Sequence, residues 1–133
     1  MLLSSLLTNV ISLVMGKSIE VVKKFHQAWN SKNIDAIEKL LTDDTVYEGP
    51  LLTWKGKKEY IEGAKQILPG FVAIKVLKQF EDGNTVFTIE DIITNTPDGQ
   101  VTLHVAEVNE LKGDKIVKAR TYFDPRPVAK YCV

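Results

Sequence analysis

Apolar residues first recur along this chain at helical spacing and then at alternate positions. Leu3, Leu7, Val10 and Val14 lie three or four apart in an uncharged stretch, MLLSSLLTNVISLVM, which predicts an amphipathic helix over residues 1–15. Ser18 stands as the N-cap of a helix over 19–30 with Val22, Phe25 and Trp29 on one face. Asn33 caps a second helix, its stripe Ile34, Ile37, Leu40 and Leu41, ending near Asp43 and Asp44. A short extended piece, Val46 to Glu48, stops at Gly49-Pro50, and a third helix runs from Gly56 to Leu68 before Pro69-Gly70. After that the period becomes two. Strands are predicted over 71–80, 85–96, 100–111 and 115–124, parted by Asp82-Gly83-Asn84, Pro97-Asp98-Gly99 and Lys112-Gly113-Asp114. Helices followed by an antiparallel meander give an α+β domain, three N-terminal helices packed on one face of a curved antiparallel sheet.

Composition narrows the partners. At 133 residues the chain is one domain, and 17 Lys+Arg against 17 Asp+Glu leave no basic excess of the kind that nucleic-acid binding needs. Neutrality also lowers the barrier to self-association. Cys132 is the lone cysteine, and His26 and His104 are far apart, so the sequence shows no disulfide, no metal-ligand spacing and no cofactor motif. The first fifteen residues lack the basic n-region and cleavage site of a secretory signal and are too short and polar to span a bilayer. A cytoplasmic protein without a membrane partner is the expectation. The segment itself has three readings: a helix covering an apolar groove, a targeting helix, or an extension ahead of a start at Met15.

Which sheet face is buried decides the chemistry. Taking the more apolar set of each strand as inward places Phe87, Ile89, Asp91 and Ile93 on the helix side. Val101, Leu103, Val105, Glu107 and Asn109 join them from the next strand, and Val117, Ala119, Thr121 and Phe123 from the last. Matching Asn95 with Val101 then sets Asp91 opposite Val105 and Ile89 opposite Glu107. Two carboxylates, Asp91 and Glu107, fall where a charge is costly unless it is paired or neutralised. They are the candidate catalytic residues. Two bland alternatives stand beside that one: a bulge turning a carboxylate outward, or Glu107 paired with Arg120 across a two-residue turn, where a longer turn would oppose it to Ala119. Phe25, Trp29, Tyr47, Trp54, Phe87, Ile89, Val105, Ala119, Thr121 and Phe123 are the candidate ligand-binding set, against the commoner fate of such residues as plain core. His104, Glu90, Arg120 and Tyr122, with Ile92, Ala106 and Val108, are assigned to the outer face, which suits a homodimer interface.

Several runs resemble a known family. Phe25-His26-Gln27-Ala28-Trp29-Asn30, Asn33-Ile34-Asp35, and Leu40 to Tyr47 followed by Gly49-Pro50 are similar to the opening of NTF2-like proteins. Gly56-Lys57-Lys58-Glu59-Tyr60-Ile61 looks like their third helix. Glu107 to Leu111, Lys115-Ile116-Val117 and Tyr122-Phe123-Asp124 resemble the last hairpin of the SnoaL-like branch, which includes polyketide cyclases and ketosteroid isomerase-like proteins. The resemblance spans 18–125, leaving 1–17 as an N-terminal apolar extension and 126–133 as a tail. It implies an NTF2-like (cystatin-like) cone around a pocket for a small apolar molecule, commonly dimeric through the outer sheet face.

Roles carry over unevenly. Glu107 matches the protonated acid of the ketosteroid isomerases, but their base falls at Gly49 and their tyrosine at Phe25. The epoxide hydrolases of this fold need an arginine where Val105 stands. The cyclases keep one strand carboxylate, which Glu107 resembles, with Asp91 in support. The dehydratases use paired histidines, whereas His104 is expected outward and His26 has no assigned direction. Two functions follow: an isomerase or cyclase using Glu107 for proton transfer, or a binding or dimerisation module without chemistry.

Overall fold

The computed structural model describes residues 17–131. Helix α1 (Lys17–Asn30) is followed by α2 (Ile34–Lys39), strands β1 (Leu41–Glu48) and β2 (Thr53–Lys55), and helix α3 (Lys57–Ile67). Four long strands complete the domain: β3 (Phe71–Asp82), β4 (Thr85–Thr96), β5 (Gly99–Lys112) and β6 (Lys115–Tyr122). A 3₁₀ turn, Ala129–Tyr131, follows. The expected extension over 1–15 and the lone Cys132 lie outside the described residues.

The helices form where the apolar stripe and the caps put them. Val21, Val22, Phe25, Ala28 and Trp29 are the buried apolar face of α1, and Ser18 lies inside its first turn rather than capping it. Asn33 does cap α2, its side chain accepting from the Ala36 N–H at 3.1 Å. That helix is shorter than its stripe suggested. Leu41 to Asp44 belong to β1 instead, because Leu41 pairs with Ile116 and the Ile116 N–H donates to the Leu40 carbonyl at 2.8 Å. Sheet pairing there overrides local helical spacing. At the end of α1 the Asn30 amide clamps β3, donating to the Ile74 carbonyl (3.1 Å) and accepting from the Ile74 N–H (2.7 Å).

The expected antiparallel meander is present as β3 to β6, but the sheet as a whole is mixed, because β1 joins it in parallel. Six strands run in the order β2-β1-β6-β5-β4-β3, with β1 parallel to β6 and the other neighbours antiparallel. Register shifts between Phe71 and Ala73, Val76 and Lys78, and Glu110 and Leu111 mark bulges that bend the long strands. The curved face wraps α1 and α3. The core lies between them, with Val22, Ile37, Ala64, Val86 and Ile116 fully buried.

One register corrects the expected faces. Thr96 pairs with Gly99 across a two-residue Pro97-Asp98 turn, so Asn95 meets Gln100, not Val101. A slip of one residue turns every side chain of β4 over. The inward set is therefore Val86, Thr88, Glu90 and Ile92, while Phe87, Ile89 and Asp91 face outward. Both proposed partners of Glu107 give way too: the Glu110–Leu111 irregularity sets it opposite Thr121, and Arg120 pairs outside with Glu48 at 3.3 Å.

Candidate active site

The parts of the site come from every layer. Helix α1 carries Phe25, His26 and Trp29 on its inner face, α3 presents Tyr60, β1 and β2 bring Tyr47 and Trp54, and the three central strands supply Glu90, Glu107, Asn109 and Thr121. Between helices and sheet Phe25, Trp29, Tyr47, Trp54, Tyr60, Glu107 and Thr121 help to line a cavity of about 340 Å³, and His26, Glu90 and Asn109 lie outside its wall. Its wall is mostly apolar, and Glu107 is the one charged residue in it among those described.

The aromatic side forms a continuous cluster. Trp54 contacts Tyr47 and Tyr60 with ring centroids 5.1 Å apart in each case, and Trp29 donates its indole N–H to the Tyr60 hydroxyl at 3.2 Å. Gly63 makes this packing possible: a Cβ there would sit 2.2 Å from the Trp54 ring. Opposite, the Tyr47 hydroxyl and Thr121 Oγ1 share a hydrogen bond of 2.6 Å. Burial pushes the Tyr60 phenol well above its ordinary range, with smaller contributions from neighbours including Glu107, so it stays neutral.

Behind Glu107 lies a polar knot. His26 Nε2 is 2.8 Å from Glu107 Oε1, and the Asn109 amide donates to the same oxygen at 2.6 Å. Glu90 Oε2 is 3.5 Å from His26 Nε2, an ion-pair distance without a formed hydrogen bond. Glu90 and Asn109 are fully buried, His26 and Glu107 nearly so. Two carboxyls side by side in a dry interior cannot both ionise cheaply. Burial first, and the adjacent Glu107 charge second, push Glu90 up to about 10, so it holds the proton. Burial also acts to raise Glu107, but the His26 imidazole and the hydrogen bonds it receives outweigh that and hold it below the usual carboxylate range. One proton thus serves two acids, and the ionised one faces the cavity.

The same three groups offer a divalent cation a donor set, since ligand atoms of His26, Glu90 and Glu107 all lie within 4.8 Å of one another. The chemistry below uses the proton that Glu90 holds instead.

The structure brings together Phe25, Trp29, Tyr47, Trp54, Glu107, Thr121 and Phe123 of the expected set. Val105 and Ala119 are buried on the same side but lie outside the cavity wall. Phe87, Ile89 and Asp91 do not join them, since the β4 register carries all three to the outer face. There Asp91 pairs with His104 at 2.7 Å. His26, Glu90, Asn109 and Tyr60 complete the site without having been selected from the sequence. His26 had a usable signal, lying four residues after Val22 and three before Trp29 on the buried stripe of α1.

A family model described as a SnoaL-like domain matches residues 22–119. The chain belongs to the SnoaL-like domain family. Among solved structures, an NTF2-like protein of unknown function from Cytophaga hutchinsonii is 30% identical, with a TM-score of 0.75 over 84% of this chain and 93% of that one. A LEH-like epoxide hydrolase of M. tuberculosis is 23% identical (TM-score 0.78, 87% and 89% covered). A SnoaL-like polyketide cyclase from Jannaschia is 15% identical (TM-score 0.76, 86% and 90%), and at these identities the last two share the fold. No curated protein matches the sequence. The SnoaL-like chain thus has the α+β NTF2-like fold, with a curved six-stranded mixed sheet and three α-helices among its described residues. Among those residues no helix is long and apolar enough to cross a membrane.

Proposed function

We propose that this SnoaL-like protein takes a small, largely apolar molecule into the cavity and moves a proton on it, as an isomerase or cyclase does, with Glu107 as the base. The carrying observation is the placement of Glu107 as the one charged residue in a mostly apolar cavity wall, with fully buried Glu90 at its back; burial keeps the proton on Glu90, and Glu107 meets the cavity ionised. Such a pair, pushed apart by environment, marks acid and base assignments. His26 and Asn109 both bond Oε1 and fix the carboxylate, leaving Oε2 outside those bonds. A carbon acid beside a carbonyl would lose its proton to Glu107 and regain it at another carbon, the single negative charge passing from the carboxylate to the enolate and back. Asp91, on the outer face, takes no part in this reading.

The test is hydrogen–deuterium exchange at the α-carbons of 2-tetralone in D₂O, followed by NMR. The wild type should accelerate exchange at least tenfold over buffer, and Glu107→Gln should return it to the buffer rate. Equal rates for the two proteins would favour the second reading, a binding module without chemistry.

The outer face supports the further reading of a homodimer. Phe80 and Phe87 stack there at 5.0 Å between centroids, and Phe80, Ile89 and Tyr122 are about half exposed, which suits a second copy better than solvent.

A further inference from the structure

The charges facing the cavity are one-sided. No Lys, Arg or His is in its wall among the described residues, and its one charge is the Glu107 carboxylate. An anionic ligand would be desolvated against that carboxylate with no counter-charge, which excludes carboxylates and phosphates on electrostatic grounds. The choice is between a neutral and a cationic molecule. Two further features bear on it. His26 and Asn109 approach from behind and both spend their hydrogen bond on Oε1, so neither bond uses the second oxygen. Five aromatic residues of the same wall, Phe25, Trp29, Tyr47, Trp54 and Tyr60, form one cluster at centroid separations of 5.1 to 6.3 Å. Ring faces carry negative electrostatic potential and attract a cation most strongly where water is excluded.

We infer that the cavity selects an organic cation, an ammonium group on an apolar body, seated between the Glu107 carboxylate and the aromatic cluster. This rests on the cavity being a ligand site, as proposed above. It holds whether Glu107 goes on to remove a proton from that ligand or only anchors it. An ammonium group offsets the cost of an ionised carboxyl in an apolar wall, and the rings hold its alkyl groups by contact as well as by charge.

The experiment compares two probes of one shape, phenyltrimethylammonium and tert-butylbenzene, by competition binding to the full chain. The wild type should prefer the cation at least tenfold. In Glu107→Gln, which keeps the side-chain shape, the preference should fall below threefold, with circular dichroism confirming the fold. Equal or tighter binding of tert-butylbenzene by the wild type overturns the inference and leaves the ligand cavity standing. A preference retained in Glu107→Gln overturns it too, since the cation would then be held elsewhere. Failure of both probes to bind would remove the cavity reading along with it. Should Glu107→Gln not fold, the wild-type ratio decides the question alone.

Discussion

Replacing Glu90 by glutamine should stabilise this protein, and more so as pH rises. In the unfolded chain Glu90 loses its proton near its ordinary value of 4.5, whereas the folded protein holds it to about 10. Between those limits folding takes up one proton, so stability falls by about 1 kcal/mol for each pH unit. The deficit is absent below pH 4.5 and grows as pH rises towards 10. At pH 7 it amounts to about 3 kcal/mol, a sizeable share of the total for a domain of this size. In Glu90→Gln the side chain would be neutral at every pH and could still offer an N–H towards Glu107. Urea unfolding of the two proteins at pH 5, 7 and 9 reads the difference directly. The curves should nearly coincide at pH 5 and separate steadily above it. A Glu90→Gln protein that is weaker than the wild type at pH 9, or a gap that does not change with pH, would refute the assignment of the proton.

Other consequences are equally open to measurement. Gly63→Ala should lower Tm by several degrees and weaken probe binding, because its Cβ would meet the Trp54 ring at 2.2 Å and Trp54 cannot retreat without moving Tyr47 and Tyr60; an unchanged Tm by differential scanning calorimetry would contradict that packing. Asp91→Asn should leave 2-tetralone exchange within twofold of the wild type, since its carboxylate meets His104 outside the cavity; a tenfold loss would return it to the site. The proposed homodimer predicts that the wild type sediments as a dimer and Ile89→Lys as a monomer, and a mass unaffected by the change would contradict that interface.

The helices were readable from their apolar spacing and, at two of them, from an end signal, Asn33 before α2 and Pro69-Gly70 after α3, although Ser18 does not cap α1 and α2 stops short of Leu41. Glu107 was readable because the β5 alternation is strict: Leu103, Val105, Asn109 and Leu111 on its side are all buried. The β4 strand misled for a physical reason. Its outer residues Phe87, Ile89 and Ile93 are more apolar than its inner ones, so hydrophobicity pointed to the wrong face, and only the Pro97-Asp98 turn length could decide. That inversion hid Glu90 and promoted Asp91. Strand β1 was half missed because its parallel partner β6 lies more than seventy residues away, a pairing that local periodicity does not encode. His26 needed only its helical phase, but the value of that position emerges from Glu90 and Glu107 meeting it across the core.

The proton-transfer proposal turns on which of the two carboxyls holds the proton. Infrared spectra of the protein labelled with ¹³C at the Glu carboxyls, taken at pH 7, show a protonated buried carboxyl as a separate C=O band. The band should be present in the wild type and in Glu107→Gln, and absent in Glu90→Gln. A band that disappears in Glu107→Gln and persists in Glu90→Gln would put the proton on the cavity side and contradict the account.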